Sequence, residues 1–206
     1  FMVDYALVAR AVLRAERGKA HQAQFRYMKL KQQVNPHFLL NSLNILDCLV
    51  CEQRTEQASA YIHKLAGIYR YMLQNAEETL VRLREEMAFV GMYVDLLQVR
   101  FPEGFRVETD IPDEAMNRHV LPCSVQLLIE NAIKHNSVGA DPPLVIRIVA
   151  GAGAVTVSNN LQLKVSGTTS TRVGLNYIRQ QYLDLSGIPI GIRRTDTEYC
   201  VTLPLL

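Results

Sequence analysis

The spacing of hydrophobic and polar positions predicts that the chain begins with long helices. Residues 4–33 contain no Pro and a single Gly and are rich in Ala, Leu, Arg, Gln and Lys, which favours one extended helix. The apolar positions of this stretch form only a weak stripe, so the helix is expected to pair with another copy of the chain. Asn35-Pro36 then interrupts the pattern, either as a kink or as a helix restart with Asn35 as N-cap.

The helical pattern continues after this break and predicts a hairpin. Residues 36–52 keep a helical pattern, and Thr55 is the predicted N-cap of a second helix that extends to about Asn75. Because the connector between these two helices is short, they are expected to lie side by side.

The remainder of the chain has the mixed pattern of an α/β domain. An extended stretch at 77–82 and a helix at 84–101 are predicted first, and Pro102 ends that helix. We therefore predict an α+β fold, in which an N-terminal helical dimerisation hairpin (residues 1–76) precedes an α/β sandwich (residues 77–206). The sandwich has predicted strands at 105–107, 144–148, 155–157, 190–192 and 199–203, predicted helices at 122–136 and 174–186, and a hairpin turn at 151–153.

Composition and charge are those of an ordinary globular protein. The 206 residues are 49% hydrophobic and 20% charged, and their formal net charge of +2 leaves no basic face that would bind nucleic acid. The close cysteine pair Cys48-x-x-Cys51 has no second pair to complete a zinc site, so we interpret the four cysteines as reduced thiols.

Membrane and targeting signals are not found in the sequence given. It holds no run of about 18 apolar residues, and its first residues lack the charged-then-apolar order of a signal peptide. Because the sequence opens on Phe1 and runs at once into a helical pattern, we expect a fragment of a longer protein. Any membrane attachment is then expected in an upstream segment.

A polar stripe follows Pro36 along the predicted helix. Helical steps align His37, Asn41, Asn44 and Cys48. A histidine near a helix start, with an amide one turn on, can keep one imidazole nitrogen free while a hydrogen bond orients the other. That arrangement suits a phosphoacceptor, although helical polar stripes that carry an ordinary surface histidine are common.

A family resemblance adds to this interpretation. The run Gln-Val-Asn-Pro-His-Phe-Leu-Leu-Asn at 33–41 resembles the phosphoacceptor box of LytS/YehU-type sensor histidine kinases. The pattern of the same family returns in Lys-Leu-Ala-Gly-Ile-Tyr-Arg-Tyr at 64–71, in Leu-Arg-Glu-Glu-Met at 83–87, and in Arg100-Phe101. The resemblance implies that His37 is the phosphorylated residue, with Asn41 as its catalytic neighbour.

A second box resembles the ATP-binding part of these kinases. Residues 121–136, which include Ile-Glu-Asn-Ala-Ile-Lys-His-Asn at 129–136, are similar to the N-box of the GHKL fold. On one helix Asn131, Lys134 and His135 recur at three- and four-residue steps and share a face. The resemblance implies that Asn131 binds Mg²⁺ and that Lys134 and His135 contact the phosphates of ATP. Glu130 is a candidate proton acceptor by its position alone.

The adenine box departs from the family pattern. Where an aspartate usually accepts a hydrogen bond from the adenine amino group, this chain has Asn159, and Leu161 takes the place of a glycine. An asparagine oxygen can still accept that bond, but without the charge that strengthens it. The alternative is that Asn159 is a turn residue at a strand end.

The stretch after the adenine box is predicted to cover the phosphates. Residues 162–173 are rich in Ser, Thr and Gly and lack periodicity, which is typical of a mobile loop. Gly174 resembles the last glycine of the family's lid box and would allow the backbone to approach a phosphate at a helix start. Arg172 is a candidate contact to the γ-phosphate, with an ordinary exposed loop arginine as the alternative.

Taken together, the resemblance implies a two-component sensor kinase. The expected reaction is autophosphorylation of His37 from Mg²⁺ and ATP, followed by transfer to the receiver domain of a response regulator. The expected assembly is a homodimer, and the expected location is the cytoplasmic portion of a bacterial inner-membrane sensor. Two alternatives remain open: a degenerate signalling scaffold that binds nucleotide poorly, and a GHKL ATPase that hydrolyses ATP.

Overall fold

A computed structural model describes residues 36–151, 153–164 and 173–206 of the chain. The chain divides into two compact units, one ending at Asn44 and the other formed by Ile45–Leu206. The predicted helix at 4–33, the N-cap role of Asn35 and the phosphate contact of Arg172 lie outside the described residues. The predicted domain boundary near residue 77 stays a prediction.

The two helices of the predicted hairpin are present. Helix α1 comprises Pro36–Cys51, and its first residue suits a helix start because proline has a fixed φ and lacks the N–H that would have no helical partner there. Helix α2 comprises Thr55–Gln74. The prediction that Thr55 is its N-cap was wrong by one residue, because the carbonyl of Arg54 accepts the first helical bond, from Ala58 at 2.9 Å.

Helix α3 packs against α2. It comprises Leu83–Arg100 and follows directly on the short strand β1, Val81–Arg82. The approach of the two helices is close at Gly67, since an added Cβ there would lie 2.8 Å from Sδ of Met92. Only the last two residues of the predicted extended stretch at 77–82 are a strand.

The second unit contains a five-stranded mixed sheet, and the five strands that the sequence predicted are all in it. The strand order is β2-β4-β5-β7-β6; β2 is parallel to β4 and the other pairs are antiparallel. A separate antiparallel pair joins β1 to β3. The strands are β2 Phe105–Asp110, β3 His119–Val120, β4 Leu144–Ala150, β5 Ala154–Asn160, β6 Gly191–Arg194 and β7 Glu198–Pro204.

Three further helices belong to the same unit as the sheet. They are α4 Asp113–Met116, which the sequence did not predict, α5 Ser124–His135, and α6 Val173–Ser186. Helix α5 contacts β4, β5, α3 and α6. Its apolar side chains are buried against a face of alternating sheet residues. They are Val125, Leu128, Ile129 and Ala132 from the helix, and Leu144, Ile146, Ile148, Val155 and Val157 from the sheet. Within the described ranges, no helix has the length and hydrophobicity needed to cross a membrane.

Candidate phosphoacceptor and nucleotide-binding sites

His37 lies exposed in the first turn of α1, and Asn41 lies one turn further along the helix. The amide Nδ2 of Asn41 is 3.2 Å from both Nδ1 and Nε2 of the imidazole. The nitrogen that accepts its hydrogen bond depends on the tautomer of His37. The structure thus brings together the two residues of the predicted phosphoacceptor box, and the imidazole remains accessible to a reactant.

The predicted phosphate-binding residues occupy the C-terminal half of α5. Asn131 and His135 are half-buried and Lys134 is exposed. Burial lowers the pKa of His135, and the positive charges of Lys134 and Lys164 lower it further. The imidazole is therefore mainly neutral near pH 7 and retains an N–H that can donate to an anion.

Lys164 adds a positive charge to this end of α5. Its Nζ donates to the carbonyl oxygens of Ile133 and Lys134 at 3.1 Å each, so the ammonium caps the last turn of the helix. Burial and nearby Arg100 lower the pKa of Lys164. The sequence analysis missed this residue, because a single lysine in a polar stretch gives no signal of its own.

Asn159 lies on the inner face of the sheet, where the adenine box was predicted. It is 6% exposed, and within β5 it pairs with Ile146 on one side and Tyr199 on the other. It is therefore a strand residue, and the alternative that made it a turn residue was wrong. Its Nδ2 donates to the carbonyl oxygen of Asn160 at 2.7 Å. The backbone N–H of Leu161 donates to the carbonyl of Thr197 at 2.8 Å.

Gly174 has a packing role that the sequence analysis did not foresee. It is the second residue of α6, and a Cβ placed there would lie 2.9 Å from Cδ2 of Leu127 on α5. Glycine thus permits a close approach of α6 to the helix that carries Asn131. The predicted approach of this glycine to a phosphate stays a prediction.

Comparison with known proteins relates this chain to histidine kinases. The sequence model of the histidine kinase family matches residues 25–105. The LytS sensor protein of Bacillus cereus is 39% identical over 106 residues, which is 52% of this chain and 18% of that protein. The LytS sensor protein of Staphylococcus haemolyticus is 29% identical over 190 residues, 84% of this chain and 32% of that protein. Over these stretches the chain is similar to LytS-type sensor histidine kinases.

The chain spans about a fifth to a third of the length of these relatives. A solved structure of a bacterial phosphotransferase shares the fold, with a TM-score of 0.50 and 14% identity over 86% of this chain and 95% of that one. The predicted fold class, α+β with helices followed by an α/β sandwich, is confirmed.

A buried carboxylate lies at the start of α5. Glu86, on α3, is 0% exposed. Its carboxylate accepts the Tyr71 hydroxyl at 2.7 Å and the backbone N–H groups of Cys123 at 2.9 Å and Val125 at 3.0 Å. Burial raises the pKa of Glu86, and these donors oppose that shift because they stabilise the carboxylate. The family motif at 83–87 contains this glutamate, but no sequence pattern marks it as a link between helices.

Few side chains near Asn131 could bind a metal ion. No group of three or more His, Cys, Asp or Glu side chains arranged for a metal occurs within the described parts of the chain. Mg²⁺ commonly binds through one protein oxygen, nucleotide phosphates and water, so Asn131 alone is compatible with it. Beside Asn131, Glu130 accepts a 3.0 Å hydrogen bond from Nε2 of Gln126.

Proposed function

We propose that this chain is the kinase part of a two-component sensor and that it transfers the γ-phosphoryl group of ATP to His37. The observation that carries the proposal is the exposed imidazole of His37 in the first turn of α1, within hydrogen-bond distance of Asn41. The family match supports it, because residues 25–105 include this box. The phosphoryl group would then pass to the receiver domain of a response regulator.

The chemistry requires little of the protein beyond positioning. An imidazole nitrogen of His37 attacks the γ-phosphorus, the bond to the β–γ bridging oxygen breaks, and ADP leaves. Asn41 orients the ring so that one nitrogen faces the reactant. Asn131 would hold Mg²⁺, which together with cationic side chains would offset the charge that moves to the leaving group, the main electrostatic demand of a loose phosphoryl transition state.

The nucleotide is assigned to the face formed by α5 and β5. Asn131 would hold Mg²⁺, while Lys134 and His135 would contact the phosphates, and Asn159 would accept from the adenine amino group. The half-buried, positively charged surroundings of His135 support this assignment, because they favour a polyanion. Gly174 and Arg172 are proposed on the resemblance alone to complete the phosphate side.

Incubation with γ-labelled ATP and Mg²⁺, followed by mapping of the label, tests the reaction. Label that is acid-labile and alkali-stable and maps to His37 is the expected result. His37→Gln retains polarity and similar volume but cannot hold a phosphoryl group, so it should lose the label while it still binds Mg²⁺ and ATP. Label that persists in His37→Gln would refute the assignment and place the phosphoacceptor elsewhere.

The pairing of subunits in the reaction can be tested with two variants. We propose a homodimer. The apolar side chains of Leu40 and Leu43 on α1 are 61% and 47% exposed, and a second copy would cover them. A mixture of His37→Gln with Asn131→Ala should restore label on the Asn131→Ala chain if each ATP site serves the partner's histidine. Sedimentation that gives a concentration-independent monomer would contradict the dimer.

A degenerate scaffold is the second candidate, and Asn159 and Leu161 favour it because they replace the aspartate and glycine of the family's adenine box. Calorimetry with Mg²⁺ and ATP separates it from a kinase, since a scaffold should show no binding at millimolar nucleotide. The third candidate, an ATPase, predicts free phosphate without label on the protein. Attachment to a membrane is proposed only through a segment upstream of this sequence, as in a sensor of the bacterial inner membrane whose catalytic part is cytoplasmic.

A further inference from the structure

The N-terminus of α5 is capped by a residue from another helix. Its own N-cap residue, Cys123, has a left-handed φ of 61° and makes no side-chain capping bond. The carboxylate of Glu86 instead accepts the backbone N–H groups of Cys123 and Val125. A carboxylate is the group that a helix N-terminus favours, because the N–H groups there have no helical acceptors and carry partial positive charge. Glu86 therefore fixes the start of α5 to α3.

The same carboxylate also reaches α2. The Tyr71 hydroxyl donates to Glu86 at 2.7 Å, while the ring of Tyr71 stacks on Phe89 with 4.3 Å between ring centroids and 11° between planes. Phe89 is fully buried on α3, so the stacking holds the tyrosine ring in one orientation. Burial and the charge of Glu86 raise the pKa of Tyr71, and its hydroxyl stays a donor at neutral pH.

Burying a carboxylate costs folding free energy unless hydrogen-bond donors occupy its acceptor sites. An ionised carboxyl has no proton to donate and accepts several hydrogen bonds. Here the Tyr71 hydroxyl and the amides of Cys123 and Val125 supply three of them, and the amide of Gln126 also stabilises the charge. Removing one donor leaves the other hydrogen bonds to Glu86 in place but breaks the link that this donor made. The hydroxyl of Tyr71 is the donor that comes from α2.

We propose that Glu86 is a positioning residue for phosphoryl transfer, through which α2 sets the place of α5 and so of Asn131. The inference rests on the proposed function. Asn131 lies six residues after Val125 on the same helix, about 9 Å along its axis at 1.5 Å per residue. Because a short helix moves as a stiff rod, a shift at its first turn is passed on to Asn131. Helix α2 follows α1 in the chain after three residues, so it is the element through which a signal along the helices would reach Glu86.

A pair of tyrosine variants on α2 tests the proposal. Tyr71→Phe removes only the hydroxyl that meets Glu86. Tyr69→Phe is the matched control, because it removes a buried hydroxyl that makes no hydrogen bond and lies two residues earlier on the same helix. We expect Tyr71→Phe to lower kcat for labelling of His37 about tenfold with KM for ATP changed less than about twofold, since Glu86 still caps α5. Tyr69→Phe should leave both constants within about twofold of the wild type.

Variants of Glu86 test the other side of the link. Glu86→Gln keeps an oxygen for the amide of Val125, but its NH₂ would face both the Tyr71 oxygen and the amide of Cys123, because Oε2 of Glu86 accepts from both. It should therefore lower kcat at least as much as Tyr71→Phe. The double variant Tyr71→Phe with Glu86→Gln should be non-additive in kcat, because both changes act on one link. Thermal unfolding of every variant, run in parallel, separates a loss of rate from a loss of folded protein. A kcat for Tyr71→Phe equal to that of Tyr69→Phe would overturn the proposal.

Backbone amide exchange separates failure of this inference from failure of the proposed function. If the wild-type chain takes no label, the kinase assignment fails. Faster exchange of the first-turn amides of α5 in Tyr71→Phe, but not in Tyr69→Phe, would still support the link between α2 and α5. Equal exchange in the two variants would overturn it whether or not the chain is a kinase.

Discussion

The side-chain oxygen Oδ1 of Asn136 accepts a 2.8 Å hydrogen bond from the backbone N–H of Gln162. Asn136 is 2% exposed, and its Nδ2 donates to the carbonyl of Ala132 at 2.8 Å. One side chain thereby holds the C-terminal end of α5 against the segment that follows β5. Helix α5 carries the proposed phosphate contacts, and this segment directly follows the strand of Asn159. Together with the backbone bond from Ser137 to Gln162, Asn136 therefore helps to fix the distance between the two proposed contact regions.

Asn136→Ala should therefore destabilise the protein and weaken nucleotide binding together. It leaves the partly buried N–H of Gln162 without its acceptor, which costs about 1–3 kcal/mol in the free energy of unfolding. Urea unfolding measures this loss, and calorimetry measures ATP binding. Asn176→Ala, at an exposed position of α6, is the control and should change the unfolding free energy by less than about 0.5 kcal/mol. Equal stability of the two variants would contradict the role given to Asn136.

Asn159→Asp should change stability and ATP affinity in opposite directions. The carboxylate makes the bond to the adenine amino group charge-assisted, which tightens ATP by about 0.5–1.5 kcal/mol. It also removes the donor to the Asn160 carbonyl and places a negative charge there, so the free energy of unfolding should fall by about 1–2 kcal/mol. Calorimetry with ATP and GTP, and urea unfolding, measure the two effects.

The neighbouring asparagine provides the control for this change. Asn160 directs its Oδ1 to the backbone N–H of Val145 at 2.7 Å, on the opposite side of the strand from Asn159. Asn160→Asp should therefore leave ATP affinity unchanged. Equal affinity in wild type and Asn159→Asp would remove Asn159 from the nucleotide pocket.

Asn41→Ala should slow labelling of His37 without affecting nucleotide binding. The amide of Asn41 lies within hydrogen-bond distance of the imidazole, and a ring that has lost this contact spends less time in the reactive geometry. We expect the rate of phosphorylation to fall about tenfold with ATP affinity unchanged, as measured by single-turnover labelling and calorimetry. Asn44→Ala, on the same polar stripe, should have no effect, and a loss of equal size there would show that helix stability is the cause.

The unfolding free energy should depend on pH through His135. Its pKa is lowered in the folded state, so between that pKa and the ordinary value of 6.5 the unfolded chain binds more protons than the folded one. The free energy of unfolding should therefore have its full value above about pH 6.5 and should fall as the solution becomes more acidic. Urea unfolding at pH 7.5 and 5.5 measures the loss. The unfolding free energy of His135→Gln should differ less between these two pH values than that of the wild type. An unchanged difference would mean that other groups cause the pH dependence.

Local sequence determined most elements of this fold, because helix and strand periodicities depend on residues close together in the chain. The alternation of apolar residues in β4 and β5 and the apolar stripe of α5 predicted these elements and the face that each buries. The same spacing placed Asn131, Lys134 and His135 on one side of α5. His37 and Asn41 were also predicted to meet, since residues four apart in a helix are neighbours.

Tertiary structure alone decided the contacts between residues distant in sequence. Glu86 lies 39 residues from Val125, and Lys164 lies 31 residues from Ile133, yet each satisfies one end of α5. A helix end requires such partners but does not specify which residue supplies them, because any nearby carboxylate or ammonium would serve. In this fold, α3 and the segment after β5 pack against α5, and this packing brings Glu86 and Lys164 to its two ends. It thereby fixes the position of the helix that carries Asn131.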